Sequence, residues 1–196
     1  MSWRGAVMVL ALLALACSQA LGAADDVAKR SQAFLERTLG VQVSDRPVVL
    51  GTHPEMETCG GQPALAALMG GCAGLAYEDR IAVSVSVLMG LEDRETWALG
   101  VIFHEQAHRS DDLPGLDEGV VQALTADLCP SLAFSLWGKR GACEYGVYPD
   151  EVRAVRVAST RATGEPWRSR AARIWRRALW LADHDARVAM FAGAWS

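Results

Sequence analysis

The feature that most constrains the fold is a pair of histidines, His104 and His108, four residues apart and directly after the apolar run from Trp97 to Phe103. A spacing of four places both side chains on one face of a helix, one turn apart, where two imidazoles can share a single ion. The apolar run before them is typical of a helix buried against a sheet. We therefore predict a buried helix that carries half of a metal site.

Glu105 lies beside the first histidine, where its carboxylate can take a proton from a water that the metal activates. The role expected of it is general base. The alternative is a pair of surface histidines, with Glu105 as an ordinary solvated acid. The apolar helix favours a metal site, because a buried histidine pair without metal would have to satisfy its polar groups in another way.

A catalytic zinc site needs a third protein ligand and an open position for water. Glu118 is the preferred candidate, because the chain turns at Pro114-Gly115 and a second helix, expected from Asp117 to Leu128, begins there. Stabilisation of that helix N-terminus is the alternative role for Glu118. The competing third ligands are Asp111, Asp112, Asp117, His53 and His184.

Residues 1–23 have the layout of a secretory signal peptide, with one basic residue before a short apolar run and small residues after it. The run is too short for a stable membrane span, which needs about 20 apolar residues. We expect cleavage near Gly22 or Ala24 and a mature chain that is secreted or periplasmic. Lipid attachment at Cys17 is the weaker alternative, because Ala14 stands where a larger aliphatic residue is expected.

The rest of the chain predicts one α+β core. A helix is expected from Ala24 to Leu39, a short strand from Pro47 to Leu50, and a longer strand from Arg80 to Leu88 with alternate apolar side chains. Residues 24–150 are predicted to form the domain with the metal site. Residues 151–196 are predicted to form a C-terminal helical extension packed on the same core.

Within that extension, Ser169 to Ala182 predicts a helix whose arginines form the solvated face. Its predicted apolar stripe is Ala171, Ile174, Trp175, Ala178, Leu179 and Ala182. The net charge of −4 gives no argument for nucleic-acid binding, and an anionic partner for the arginines is the weaker interpretation. Packing is the role expected for Trp167, Trp175, Trp180 and Trp195.

Four cysteines follow the predicted signal peptide, and an even number in an oxidising compartment indicates two disulfides. Of the three pairings that four cysteines allow, sequence proximity favours Cys59–Cys72 and Cys129–Cys143. A Cys-x-x-Cys pair does not occur, so a thiolate zinc site is not expected.

The segment His104-Glu105-Gln106-Ala107-His108, followed by Leu116-Asp117-Glu118-Gly119, resembles the gluzincin group of zincin metallopeptidases, in which a glutamate on the next helix completes the zinc site. The resemblance covers about Pro47 to Leu128. It implies a zincin-like fold with a small sheet, an active-site helix and a glutamate helix, followed by C-terminal helices. It also implies that Arg80 to Leu88 is the edge strand that binds an extended peptide by main-chain pairing.

Two features depart from that group. His108 and Glu118 are closer in sequence than in most members, which fits a compact minimal member. Gln122 stands where larger members have an aspartate, four residues after the glutamate, so the polar support of a ligating histidine would differ here.

The expected function is that of a secreted zinc-dependent peptidase that acts on a peptide or protein substrate. Zinc is held by His104, His108 and Glu118, and Glu105 is the general base. Candidates for a second electrophile at the carbonyl oxygen are Tyr145, Tyr148 and His184, each more simply explained as structural.

Two alternatives stay open. One is an exported binding or inhibitory module with a structural or catalytically silent zinc site. The other is a zinc hydrolase that acts on a non-protein amide such as cell-wall peptide. Glu105 favours an enzyme over a silent module, because a purely structural zinc has no use for a general base.

Overall fold

The computed structural model describes residues 3–43, 46–50, 72–84, 87, 95–108, 116–139, 141, 143 and 148–196. In these ranges the chain is α+β, as predicted, and mostly helical. The strands are β1 (Val48–Leu50), β2 (Gly74–Ala76) and β3 (Ile81–Val83). The helices are α1 (Trp3–Leu39), α2 (Glu95–Ala107), α3 (Leu116–Trp137), α4 (Pro149–Thr163), α5 (Arg170–Leu181) and α6 (His184–Gly193).

The three strands form one small sheet with β3 in the centre. β3 runs parallel to β1, with Ile81 opposite Val48, and antiparallel to β2, with Val83 opposite Gly74. All three residues of β3 are buried, so both of its faces are covered. A strand that is covered on both faces and paired on both sides belongs to the interior of a fold.

The predicted strand from Arg80 to Leu88 is therefore wrong in two respects. It is not an edge strand, because β1 and β2 occupy both of its sides. It is also shorter, since the strand ends at Val83 and Val87 has a helical conformation. The sequence did not predict β2, which is an edge of the described sheet and packs against α2.

α1 confirms the predicted helix from Ala24 to Leu39 and extends it back to Trp3 without a break. Its C-terminal half buries an apolar stripe that includes Ala24, Val27, Leu35 and Leu39. Gly40 follows with a φ of 72°, a left-handed conformation that glycine adopts at low cost at helix ends. The signal peptide and its cleavage position stay predictions.

α2 is buried at every position from Ala98 to Ala107 and contacts α1, the sheet and α3. No face of this helix between Ala98 and Ala107 is exposed to solvent, which agrees with the helix inside the core that the apolar run predicts. Gly100 is required at one close approach, because a Cβ there would collide with the carbonyl oxygen of Cys143.

α3 is longer than the predicted helix from Asp117 to Leu128. It continues through Pro130 to Trp137, although an interior proline removes one backbone hydrogen bond. Burial of Leu132 and Ala133 beyond the proline offsets that loss.

Within the described ranges, the segment Asp117–Trp137 has the length and hydropathy of a membrane span. In this fold 56 % of its most apolar 18-residue stretch is buried, and core helices of soluble proteins can have the same length and composition. α3 contacts α2, α4 and α5 and buries Val120, Leu124 and Leu132, whereas Phe134 is 50 % exposed.

One of the two predicted disulfides lies in the described residues and is confirmed. Cys129 of α3 is bonded to Cys143, with their Cα atoms 5.8 Å apart. The bond ties α3 to the segment that leads into α4. Cys72 is also disulfide-bonded, while its predicted partner, Cys59, lies outside the described residues.

α5 has a different buried face from the one predicted. Ser169 caps the helix by accepting a hydrogen bond from the Ala172 amide. Ile174, expected on the apolar stripe, is 57 % exposed, whereas Arg176, expected on the solvated face, is 1 % exposed. The buried residues are Ala172, Arg176, Leu179 and Trp180. Arg176 can be buried because its guanidinium pairs with Asp127 of α3, which the local pattern of α5 does not reveal.

Candidate metal centre

Three side chains meet between α2 and α3 with their ligand atoms in a compact triangle. His104 Nε2 lies 3.1 Å from Glu118 Oε2 and 3.2 Å from His108 Nε2. The third side, from His108 Nε2 to Glu118 Oε2, measures 3.5 Å. The structure thus brings together the three residues that the sequence predicted as metal ligands, in a group that could hold a metal ion.

Each ligand is positioned by a helix end. His104 lies in the last turn of α2, His108 follows directly after that helix ends, and Glu118 lies in the first turn of α3. Their side chains are 2 %, 15 % and 29 % exposed, respectively. The cluster is therefore closed on the side of His104 and open to solvent on the side of the other two.

The triangle fits a tetrahedral zinc ion. Two ligand atoms at about 2.05 Å from a tetrahedral ion stand about 3.3 Å apart, which is the size of the observed triangle. Two imidazoles and one carboxylate are a ligand set that suits zinc, whereas calcium and magnesium prefer oxygen atoms. Three protein ligands would leave one of the four tetrahedral positions open.

Glu118 is held in its charged form. Burial acts to raise the pKa of this carboxyl, but hydrogen bonds with His104 and His108 outweigh burial and hold the pKa well below its ordinary value. Glu118 is consequently ionised at neutral pH, which is the state that a metal ligand needs.

Glu105 lies beside the cluster and is only 6 % exposed. Burial raises the pKa of its carboxyl, while the charges of His104 and His108 act in the opposite direction. A raised pKa lies closer to neutral and suits a general base. Gly74 of β2 makes room for this side chain, because a Cβ at that position would stand 2.7 Å from Glu105 Cγ.

Tyr148 is a site residue that sequence reasoning left out of the site. Its ring stacks on the His104 ring at 6.2 Å with an angle of 7° between the planes. Burial and the negative charges of Glu118 and Glu105 raise the pKa of the phenol, so Tyr148 keeps its proton at neutral pH.

The backbone of Tyr148 is also unusual. Its φ of 56° and ψ of 47° place it in the left-handed region, the only non-glycine residue there in the described part of the chain. This conformation costs about 1 to 2 kcal/mol for an L residue with a Cβ. It is unexpected before Pro149, because a residue preceding proline normally adopts an extended conformation. The strain is maintained where the ring meets His104, as is common at functional sites.

The three candidate metal ligands, the buried Glu105 carboxyl and the Tyr148 phenol thus lie together in one partly open site. No protein-family model, curated protein or solved structure matches this chain. The function is therefore inferred from these side chains and from the residues that hold them.

Two side chains fasten the end of α2, where both histidines are presented. Arg46 Nη2 donates to the carbonyl oxygens of Glu105, Gln106 and His108, at 3.0, 3.2 and 3.1 Å. Trp180 of α5 donates from its indole nitrogen to the Ala107 carbonyl oxygen at 2.9 Å. These carbonyls lack partners inside the helix, and the two donors satisfy them while orienting the segment that carries His108.

Asp117, one of the predicted competitors for the third ligand, has a different role. It forms a buried ion pair with Arg187 of α6, in which the two side chains are 2 % and 1 % exposed. Arg187 also donates to the carbonyl oxygens of Trp180 and Ala182. A continuous set of hydrogen bonds therefore runs from the end of α2 through α5 and α6 to the residue next to Glu118.

The remaining sequence candidates do not enter the described site. His184 is exposed at the start of α6 and does not belong to the group of candidate metal ligands. His53, Asp111, Asp112 and Tyr145 lie outside the described residues. Gln122, the departure from the gluzincin pattern, is 3 % exposed, and its Oε1 has no hydrogen-bond partner among the described residues.

Proposed function

We propose that this protein is a zinc-dependent peptidase of the gluzincin type, exported after removal of residues 1–23. The observation that carries the proposal is the triangle of His104, His108 and Glu118 ligand atoms, whose sides of 3.1, 3.2 and 3.5 Å match a tetrahedral zinc ion. A small sheet, a histidine-bearing helix and a glutamate-bearing helix also follow each other in the order expected of a zincin-like domain.

Zinc bound by these three residues would supply a Lewis acid that polarises the scissile carbonyl and makes water a better nucleophile at neutral pH. Glu105 takes the proton from the attacking water on its carboxylate and then passes it to the nitrogen of the leaving amine. Burial of Glu105 supports this role, because a desolvated carboxylate is a stronger base than a solvated one.

Tyr148 is the donor that we assign to the carbonyl oxygen of the substrate. Negative charge develops on that oxygen as water attacks, and a preorganised O–H donor stabilises it. The raised pKa of Tyr148 keeps the proton on the phenol, and stacking on His104 keeps the ring beside the metal ligands.

β2 is the strand that we assign to binding of the peptide backbone, in place of the strand from Arg80 to Leu88. β2 has a neighbour on one side only in the described sheet, and Gly74 lies directly against the Glu105 side chain. An extended peptide added to the free edge of β2 would run past the proposed general base.

The proposal is tested by metal analysis and peptide cleavage on the purified mature protein. Wild type should hold about one zinc and cleave members of a broad peptide library. Glu118→Ala should lose the zinc, whereas the matched control Glu105→Gln should keep it and lose cleavage.

Retention of zinc by Glu118→Ala would remove Glu118 from the ligand set. Zinc binding by wild type without cleavage of any peptide would favour the silent binding module. Cleavage of cell-wall peptide alone would favour the hydrolase of a non-protein amide.

A further inference from the structure

α4 carries a surface cleft of about 420 Å³ that the proposed chemistry does not use. Its α4 lining runs from Pro149 to Arg161 at intervals of three, four and one residues, which places the lining side chains on one stripe of the helix. Trp167, from the turn between α4 and α5, closes the other side.

The cleft is strongly basic in a chain that is acidic overall. Arg153, Arg156 and Arg161 line it, and none of its lining residues is acidic. Residues 149–196 hold nine arginines against five acidic side chains, although the whole chain has a net charge of −4. Seven of these arginines are left when Arg176 and Arg187, which are buried in ion pairs with Asp127 and Asp117, are set aside. A local concentration of positive charge on an acidic protein indicates an anionic ligand.

Aromatic rings hold two of these arginines in place. The Arg156 guanidinium lies 4.1 Å from the centre of the Trp167 ring, and that of Arg161 lies 4.2 Å from the centre of the Trp195 ring. Stacking on a ring restricts the motion of a guanidinium and so reduces the entropy lost when it binds a carboxylate. Val157, 37 % exposed, adds an apolar surface for the body of the ligand.

One end of the cleft lies near the metal centre. Pro149, its first lining residue, directly follows Tyr148, whose ring stacks on His104. The stripe from Pro149 to Arg161 spans about 18 Å along the helix, which corresponds to about five or six residues of an extended peptide. A peptide whose scissile bond lies at the metal centre therefore has the length to place its side chains in the cleft.

We propose that this cleft binds acidic side chains of the peptide substrate, about two to six residues away from the scissile bond. This inference rests on the proposed peptidase function and adds a substrate class, namely peptides and protein segments rich in aspartate and glutamate. Arg153 and Arg161 bind the carboxylates from the rim, and Arg156, stacked on Trp167, adds positive charge at the floor.

The test compares two internally quenched peptides that differ only in glutamate against glutamine at positions flanking a common cleavage site. Variants are Arg153→Gln with Arg161→Gln, and Arg170→Gln as a matched control for an exposed arginine outside the cleft. We expect wild type to cleave the glutamate peptide with a kcat/KM about tenfold higher, and the double variant to lose about fivefold on that peptide only. Arg170→Gln should behave as wild type.

Direct binding separates this proposal from the proposed function. A fluorescein-labelled hexaglutamate peptide is titrated against the full-length mature Glu105→Gln protein, with hexaglutamine as control and thermal unfolding as a check of folding. Tighter binding of hexaglutamate that is lost with Arg153→Gln and Arg161→Gln supports the cleft even when no peptide is cleaved.

Equal binding of the two peptides, or binding that survives loss of both rim arginines, would overturn the proposal while leaving the peptidase intact. Binding to phosphatidylserine vesicles without binding to hexaglutamate would assign the arginines to a membrane surface, and would overturn it as well.

Discussion

Two buried arginine–aspartate pairs join α3 to the C-terminal helices, and they differ in what lies beside them. Arg187 pairs with Asp117, and Arg176 pairs with Asp127, with every side chain at most 11 % exposed. Asp117 is the neighbour of the proposed zinc ligand Glu118. Asp127 stands nine residues beyond Glu118, which is about 14 Å along the helix.

The other hydrogen bonds of the two arginines also differ between the two ends of α3. Arg176 also donates to the Ser159 hydroxyl and to the Trp167 carbonyl oxygen, so it joins α3, α4 and the turn between α4 and α5. Arg187 instead donates to the carbonyl oxygen of Trp180, whose indole holds the end of α2. The Arg176–Asp127 pair therefore supports helix packing at one end of α3. The Arg187–Asp117 pair supports the proposed metal ligands at the other end.

The largest effect should follow loss of the pair beside the metal centre. Arg187→Met leaves Asp117 buried without its cation, and it should lower the free energy of unfolding by about 3 to 5 kcal/mol. Because the pair positions the first turn of α3, zinc affinity should also fall about ten- to 100-fold. Denaturant unfolding of the zinc-free protein and competition with a zinc chelator measure the two quantities separately.

The matched change at the other pair should affect stability only. Arg176→Met should lower the free energy of unfolding by about 3 kcal/mol, at the lower end of the range because Asp127 is less buried than Asp117. Its zinc affinity, measured by the same competition, should stay within about twofold of wild type. An equal loss of zinc affinity in both variants would break the distinction between the two ends of α3.

A smaller effect is expected from a substitution beside the proposed metal ligands. Tyr148→Phe keeps the ring that stacks on His104 and removes the hydroxyl, so zinc binding and folding should be nearly unchanged. Loss of the donor should lower kcat by about 100-fold, or about 2.7 kcal/mol in the activation free energy. Steady-state kinetics on a cleaved peptide, with zinc content as the control, measures this. Full activity of Tyr148→Phe would leave the phenol with a structural role only.

Local pattern was sufficient for the elements that depend on residues a few positions apart. The spacing of His104 and His108 and the apolar run before them predict a buried helix, and the glycine after Leu39 predicts where α1 ends. Both follow from helical periodicity and from backbone freedom at one residue. The preference for Glu118 over its neighbours also followed from a local signal, the turn at Pro114-Gly115 and the helix start after it.

Contacts between segments that are distant in sequence could not be predicted from local pattern. Nothing near Tyr148 in the sequence indicates that its ring stacks on His104, 44 positions earlier. The strand from Arg80 was expected at the edge because the resemblance to the gluzincins implies it, whereas pairing with β1 and β2 makes β3 central.

By itself, the sequence determined a buried helix with His104 and Glu105 in its last turn and His108 directly after it, because the four-residue spacing and the apolar run are local features. Only the tertiary structure decided that Glu118 closes the triangle, that Tyr148 joins it, and that Arg176 and Arg187 are buried. The physical reason is that a buried charge is stable only with its partner beside it. In this protein each partner comes from a helix far along the chain.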